Sequence, residues 1–173
     1  MNARILFVTL ASAAFAFACA PAAPPSPPIT SSASPRVVYL TGDRDVKTHD
    51  EWHYAPAARV GDLVVLSGIP AARGATDEEK IRTMFERARV ALESAGATFD
   101  DVIEIQTFHT APTHDAFAHD FEIMARVHAT TFHPPYPAWT AIGNAALLAK
   151  DAIVEMRLVA IVGSGRGARI ERR

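Results

Sequence analysis

Seven histidines are the side chains in this sequence that could most readily bind a metal ion. Five of them follow one another at intervals of five or nine residues: His109, His114, His119, His128 and His133. Two ligands on one side of a helix lie three or four residues apart, and the sequence contains no HExxH motif and only one cysteine. We therefore expect no metal site, and no cofactor.

Two short glycine-containing stretches could also carry chemistry. Ser67 and Gly68 end an apolar run, but they lack the flanking glycines of the sharp turn that presents a hydrolase serine. The stretch GSGRG at 163–167 follows a predicted strand but opens no helix, which a phosphate-binding loop requires. Neither stretch identifies an activity alone.

A third stretch is PPYPAWTAIG, residues 134–143, in which a proline-rich loop leads into a predicted strand. Trp139 stands near the start of that strand. An aromatic side chain in this place could line a ligand site, or it could belong to a subunit interface, where tryptophan is enriched. The residues alone leave both interpretations open.

Composition and charge indicate one ordinary globular domain. The chain has 173 residues, of which 49% are hydrophobic and 21% charged, with a formal net charge of −2. This balance gives no electrostatic argument for a nucleic-acid partner. Four arginines crowd the last residues beside several glycines, and this pattern predicts a flexible basic tail over 164–173.

The first residues are typical of an export signal. Arg4 precedes the apolar run ILFVTLASAAFAFA, which is short for a membrane span, so residues 1–18 are predicted to be a signal peptide. Cys19 follows at once and resembles the lipidated cysteine of a bacterial lipobox. Residues 19–36 then form a Pro-, Ala- and Ser-rich tether. We expect an exported, periplasmic protein that is lipid-anchored to a bacterial membrane; cleavage after Ala18 or Ala20, leaving a soluble periplasmic protein, is the alternative.

From residue 37 to 163 the pattern predicts a folded domain of strands and two helices. A strand at 37 is followed by a hairpin whose turn is Val60–Leu63. A helix begins at the Thr76–Glu79 capping box and ends at Gly96, and a second helix spans about 113–131. One more strand separates the helices and two strands close the domain. The fold class is therefore α+β: a mostly antiparallel sheet with both helices on one face and polar side chains on the other.

The order of these segments resembles the Rid family (RidA/YjgF, the reactive-intermediate deaminases) over residues 52–162. YAPAARVGDLVVLSG is similar to the opening of that family, and IRTMFERARVALESAGATFDDVIEIQTF is similar to its first helix and the strand that follows. LAKDAIVEMRLVAI resembles its closing motif. The resemblance implies a chorismate-mutase-like fold that assembles as a homotrimer, with a small-molecule cleft between subunits.

The resemblance also implies a site and an activity. Deaminating members hydrolyse imines and enamines, and a glutamate that holds the attacking water corresponds to Glu155. The other pocket positions correspond to Tyr54, Ser67 and Gly68. PAWT replaces the family's Pro-Ala-Arg-Thr, so Trp139 and Thr140 occupy the substrate-binding motif and Trp139 stands where an arginine binds the substrate carboxylate. The residue corresponding to the family's asparagine in the second helix is Phe121 or Glu122.

Loss of that arginine changes the expected function. An indole has one N–H and no charge, so it cannot replace a guanidinium, and family members without the arginine generally lack the usual deaminase activity. We expect an imine or enamine hydrolase without standard 2-imino-acid deaminase activity. The alternative is a non-catalytic ligand-binding or interaction module. For Glu155, the alternative role is a solvated or interface salt bridge with Arg157.

The lipidation hypothesis gives the first testable prediction. Expressed in a bacterial host with labelled fatty acid, the wild type should incorporate label, and Cys19→Ala should abolish it because no other cysteine is present. The measurement is labelled protein on a gel after membrane fractionation. Unlabelled wild-type protein in the periplasmic fraction would contradict the prediction.

Overall fold

The computed structural model describes residues 34–173. The predicted signal peptide, Cys19 and the tether up to residue 33 lie outside the described residues. Six strands form one sheet: β1 Arg36–Tyr39, β2 Ala57–Val60, β3 Leu63–Pro70, β4 Val102–Thr110, β5 Ala138–Asn144 and β6 Val154–Ile161. Three α-helices accompany them: α1 Asp43–Trp52, α2 Asp77–Ser94 and α3 His114–Ala129. Within residues 34–173, no helix is long and apolar enough to cross a membrane.

The strand order in the sheet is β1-β2-β3-β6-β4-β5. All neighbours are antiparallel except β4 and β5, which are parallel and are joined through α3. Side chains of one sheet face pack against α2 and α3 and form the core, and on β6 these are Val154, Met156, Leu158 and Ala160. The predicted α+β class, with both expected helices on one face of a mostly antiparallel sheet, is confirmed.

Local signals in the sequence set the bounds of the hairpin and of α2. Val60 pairs with Leu63 across a two-residue turn in which Gly61 has a φ of 59°, a conformation that glycine adopts without steric cost. At the start of α2 the Thr76 hydroxyl accepts the Glu79 backbone N–H at 3.2 Å, and the Glu79 carboxylate accepts the N–H of Thr76, which completes the capping box. Gly96, just beyond the helix, has a φ of 80°.

The helix α1 was not predicted from the sequence. None of its residues is buried, so its sequence DRDVKTHDEW shows no apolar stripe from which a helix could be inferred. Its start is held instead by Asp45, whose carboxylate accepts the backbone N–H of Thr41 at 2.9 Å and its hydroxyl at 2.6 Å. The helix matters because it borders the cavities described below.

The segment predicted as a basic tail begins with residues that are bonded to the domain. The Ser164 hydroxyl donates to the backbone carbonyl of Asp101 at 3.1 Å, and the Gly165 N–H donates to the Asp101 carboxylate at 3.2 Å. Asp101 also accepts the N–H of Thr98 at 3.0 Å. The carboxylate therefore joins the turn before β4 to the chain that follows β6.

A buried histidine lies between β4 and α3. His109 is fully buried, and its ring Nε2 is 3.0 Å from the hydroxyl oxygen of Thr107. The other ring nitrogen, Nδ1, has no hydrogen-bond partner among the described residues. Burial lowers the pKa of His109 to about 4 because the charged imidazolium would lose its solvation.

His109 should therefore make the domain sensitive to acid. An unfolded histidine binds its proton near pH 6.5, whereas folded His109 binds it only near pH 4, so the folding free energy is lost as pH falls through this window. The loss should reach about 3 kcal/mol below pH 4. In denaturant unfolding from pH 7 to pH 4, His109→Gln should flatten the decline in unfolding free energy. The exposed His119→Gln is the control and should leave the slope unchanged; equal slopes for wild type and His109→Gln would contradict the assignment.

Candidate active site

A β-bulge at Ser67 and Gly68 shapes the middle of β3. Leu66 pairs with Leu158 and Ile69 with Met156, so two residues of β3 oppose one residue of β6, which is Arg157. Bulges of this kind change the direction of side chains and are frequent beside active sites. The predicted pocket residues Ser67 and Gly68 thus lie where the regular strand is interrupted.

The bulge also fixes the role of the Ser67 hydroxyl. It donates to the backbone carbonyl of Ala55 at 2.6 Å, while the Ser67 backbone N–H donates to the carbonyl of Pro56 at 2.9 Å. Both bonds hold the segment that carries Tyr54 against β3. Ser67 therefore positions the wall of the site, and no base adjoins its hydroxyl as a nucleophile would require.

Glu155 lies on β6, beside the bulge. A Cβ placed on residue 68 would overlap the Glu155 carboxylate, so the carboxylate rests directly on the glycine and a larger residue there would displace it. The side chain is half-buried, and burial raises the pKa of Glu155. Among residues 34–173 no hydrogen bond or ion pair involves this carboxylate, and Arg157 pairs instead with Glu104 at 3.7 Å. Within the described residues of one chain, the alternative ion pair between Glu155 and Arg157 does not form, and a pair across a subunit interface stays a prediction.

Four of the predicted site residues line one cavity of about 550 Å³, which we call the Glu155 cavity. They are Tyr54, Ser67, Gly68 and Glu155. Trp52 and Leu148, whose side chains are largely exposed, form an apolar part of its rim. A volume of this size is typical of small-molecule sites. The cavity can hold a ligand with its reacting atom beside a carboxylate.

Trp139 lies elsewhere in the chain. It pairs with Ile105 across β4 and β5 and faces α3, where its ring stacks on His128 with centroids 4.5 Å apart. Phe121 is the next aromatic neighbour, at 5.0 Å. The indole N–H donates to the hydroxyl of Thr107 at 3.0 Å. Within one chain, Trp139 is therefore a packed aromatic residue outside the Glu155 cavity.

Thr140 also lies outside this cavity. It is the next residue along β5, so its side chain points to the opposite face of the sheet from Trp139, where it is exposed. It pairs in register with Gln106 of β4. The structure thus separates the predicted site into one group around Glu155 and a second group, Trp139 and Thr140, on β5.

No motif in the sequence predicts the three arginines that lie near the site. Arg44 on α1, Arg73 after β3 and Arg87 on α2 line a smaller cavity of about 280 Å³, which we call the arginine cavity. Arg44 belongs to the unpredicted helix, and Arg87 is placed by tertiary packing, so no motif connects them.

Within the described part of the chain, no group of three or more His, Cys, Asp or Glu side chains could hold a metal ion.

Comparison with known proteins shows the family. The sequence profile described as endoribonuclease L-PSP matches residues 47–162. The RutC family protein YjgH of Escherichia coli is 35% identical over 116 residues, which cover 64% of this chain and 83% of that protein.

Solved structures agree with this assignment. The structure of protein YJGH has 32% sequence identity and a TM-score of 0.62, covering 73% of this chain and 96% of that chain. Rv2704 of Mycobacterium tuberculosis, a YjgF-family member, has 26% identity and a TM-score of 0.64, covering 74% and 100%. These likenesses confirm the expected chorismate-mutase-like (RidA/YjgF) fold. The chain belongs to the endoribonuclease L-PSP family, which is the Rid or YjgF family that its segments resemble.

Proposed function

We propose that this protein is a deaminase-like hydrolase that acts on an imine or enamine in the Glu155 cavity. The observation that carries the proposal is the half-buried carboxylate of Glu155, which rests on Gly68 and has no partner among the described residues. A carboxylate whose pKa is raised is a stronger base while it is still ionised near neutral pH. The side chain can therefore accept a proton from a water molecule held beside the ligand.

The reaction balances with water as the only co-reactant. Water attacks the imine carbon, and Glu155 takes the proton that the water loses. The same proton passes to the nitrogen and gives a carbinolamine. The hydroxyl proton of the carbinolamine then moves to the nitrogen through Glu155, the carbon–nitrogen bond breaks, and the products are ammonia and a carbonyl compound. An enamine first becomes an imine by protonation at carbon. Ser67 and Tyr54 shape the wall and take no covalent part.

Removing the Glu155 carboxylate gives the test. Ammonia release should be measured over a panel of imines, with 2-imino acids generated in place and uncharged imines of similar size. For any substrate that the wild type hydrolyses, Glu155→Gln should lower kcat about a hundredfold or more, because an amide cannot accept the proton. Glu93→Gln on the exposed side of α2 is the matched control and should keep full activity. Equal rates for wild type and Glu155→Gln would refute the role of Glu155.

The same cavity supports a second candidate, a non-catalytic ligand-binding module. The observation in its favour is Trp139, which stands at the position of the family's carboxylate-binding arginine and packs against α3. A wild type that binds imine analogues, with an affinity that does not depend on Glu155, and hydrolyses none of the panel would favour this candidate.

We further propose that the protein acts as an exported homotrimer with the cavity at a subunit boundary. On the sheet face opposite α2 and α3, Gln106 donates to Glu104 at 2.6 Å and Arg157 pairs with the same carboxylate. These side chains remain about one-third exposed. Neighbouring subunits would cover this face, as the family resemblance implies, and the Glu155 cavity would lie at their boundary. Export and lipid anchoring at Cys19 complete the proposal.

The assembly can be measured directly. Light scattering of residues 34–173 should give about three times the mass of one chain. Charge repulsion introduced by Gln106→Glu should reduce that mass, because the new carboxylate would lie beside Glu104 on the proposed contact face. A stable wild-type monomer would contradict both the trimer and the shared cleft.

A further inference from the structure

Three guanidinium groups meet at the border of the Glu155 cavity. From their arrangement, we propose that the site binds an oxyanion of its ligand, a carboxylate or a phosphate, through Arg87 with support from Arg44 and Arg73. This inference narrows the substrate of the proposed function to an anionic one. It rests on the proposed function only in taking the reacting group to be an imine or enamine. The residues that would bind the negative charge of the ligand therefore lie outside β5, the strand that carries Trp139.

Arg87 is the central member of the cluster. It projects from α2, is half-buried, and lines both the arginine cavity and the Glu155 cavity. Its hydrogen bond within the described residues runs from Nη1 to the backbone carbonyl of Pro70 at 3.3 Å. A guanidinium has five N–H donors in a planar fork, and a fork of this kind matches the two oxygens of a carboxylate or phosphate. Donors therefore remain for a ligand.

The acidic residues of the arginine cavity form no ion pair with the cluster. Asp45 is bonded to Thr41, and Glu86 is bonded to Arg89. No ion pair among residues 34–173 includes any of the three arginines. Burial, and then the positive charges of Arg44 and Arg73, lower the pKa of Arg87. The carboxylate of Asp45 acts in the opposite direction and offsets part of this effect. Three arginines and two acidic residues, Asp45 and Glu86, line the arginine cavity, so its charge is still positive and a bound anion would stabilise it.

The position of the cluster relative to Glu155 fits a substrate with an anion at one end. The two cavities share the residues Arg44, Asp45, Tyr54, Ser67, Gly68 and Arg87. A ligand whose anion lies at Arg87 can thus place another carbon beside the Glu155 carboxylate. Volumes of about 280 and 550 Å³ leave room for more than the smallest imino acids.

This placement changes what the loss of arginine at position 139 implies. The sequence alone favours an uncharged ligand, since Trp139 cannot bind a carboxylate through a charged fork. The folded chain supplies guanidinium groups from α1, from α2 and from the loop after β3 instead. An anionic imine therefore fits the cavity, held from a different direction.

Binding of stable probes tests the proposal without requiring turnover. Calorimetry with the purified full chain would compare 2-oxobutyrate, its uncharged methyl ester, and inorganic phosphate. The wild type should bind an anion about tenfold or more tightly than the ester, and Arg87→Gln should remove that preference. Arg82→Gln is the control, because Arg82 lies on the same helix and pairs with Glu78 outside both cavities. Preference for 2-oxobutyrate or for phosphate distinguishes the two anions.

A second variant covers the case in which Arg87→Gln does not fold. Arg44 and Arg73 are exposed, so the double variant Arg44→Gln/Arg73→Gln should fold and weaken anion binding about tenfold. Equal affinity of the wild type for anion and ester, or unchanged anion binding in the folded variants, would overturn the proposal. Glu155→Gln should retain the anion preference. Anion preference without hydrolysis contradicts only the proposed function, whereas hydrolysis without anion preference contradicts only this inference.

Discussion

The contact between the Glu155 carboxylate and the α-carbon of Gly68 is the constraint on which the site depends. The contact lies at the bulge of β3, where Ser67 and Gly68 together oppose Arg157 of β6. The bulge then directs the Ser67 hydroxyl to Ala55, and this bond holds the segment that carries Tyr54. One local irregularity between two strands therefore determines where the carboxylate lies, what forms the wall of the cavity, and why no side chain fills its floor.

The charges around the cavity are arranged in a way that suits the proposed hydrolysis. Glu155 has no arginine partner within the described residues, and its pKa is raised by burial. An adjacent guanidinium would lower that pKa and weaken the base. Arg44 and Arg87 also line the Glu155 cavity, but neither pairs with its carboxylate, and Arg87 bonds only to a backbone carbonyl among the described residues. A base and an anion site can thus work in one space without neutralising each other.

Much of the fold and half of the site could be predicted from the sequence. Predictions that rest on a strong local pattern were correct, and these are the Val60–Leu63 turn, the Thr76 capping box and the alternating strand β6. Glu155 was placed with Tyr54, Ser67 and Gly68 by motif order alone, and the structure brings these four together. The helix α1 was not predicted because none of its residues is buried. The arginine cluster was not predicted because only tertiary packing brings residues 44, 73 and 87 together. The side-chain direction of Trp139 also depends on packing, since α3 determines what its ring meets.

The packing of Trp139 has a consequence for any substitution at this position. Its ring contacts Phe121 and His128, and its N–H is accepted by Thr107, which itself lies 3.0 Å from His109. A guanidinium in the same place would meet aromatic rings and one hydroxyl, with no acid among these neighbours. Positions 121 and 139 are therefore coupled: an arginine at 139 would be tolerated better if a polar residue also replaced Phe121, so the effects of the two changes on the unfolding free energy should not be additive.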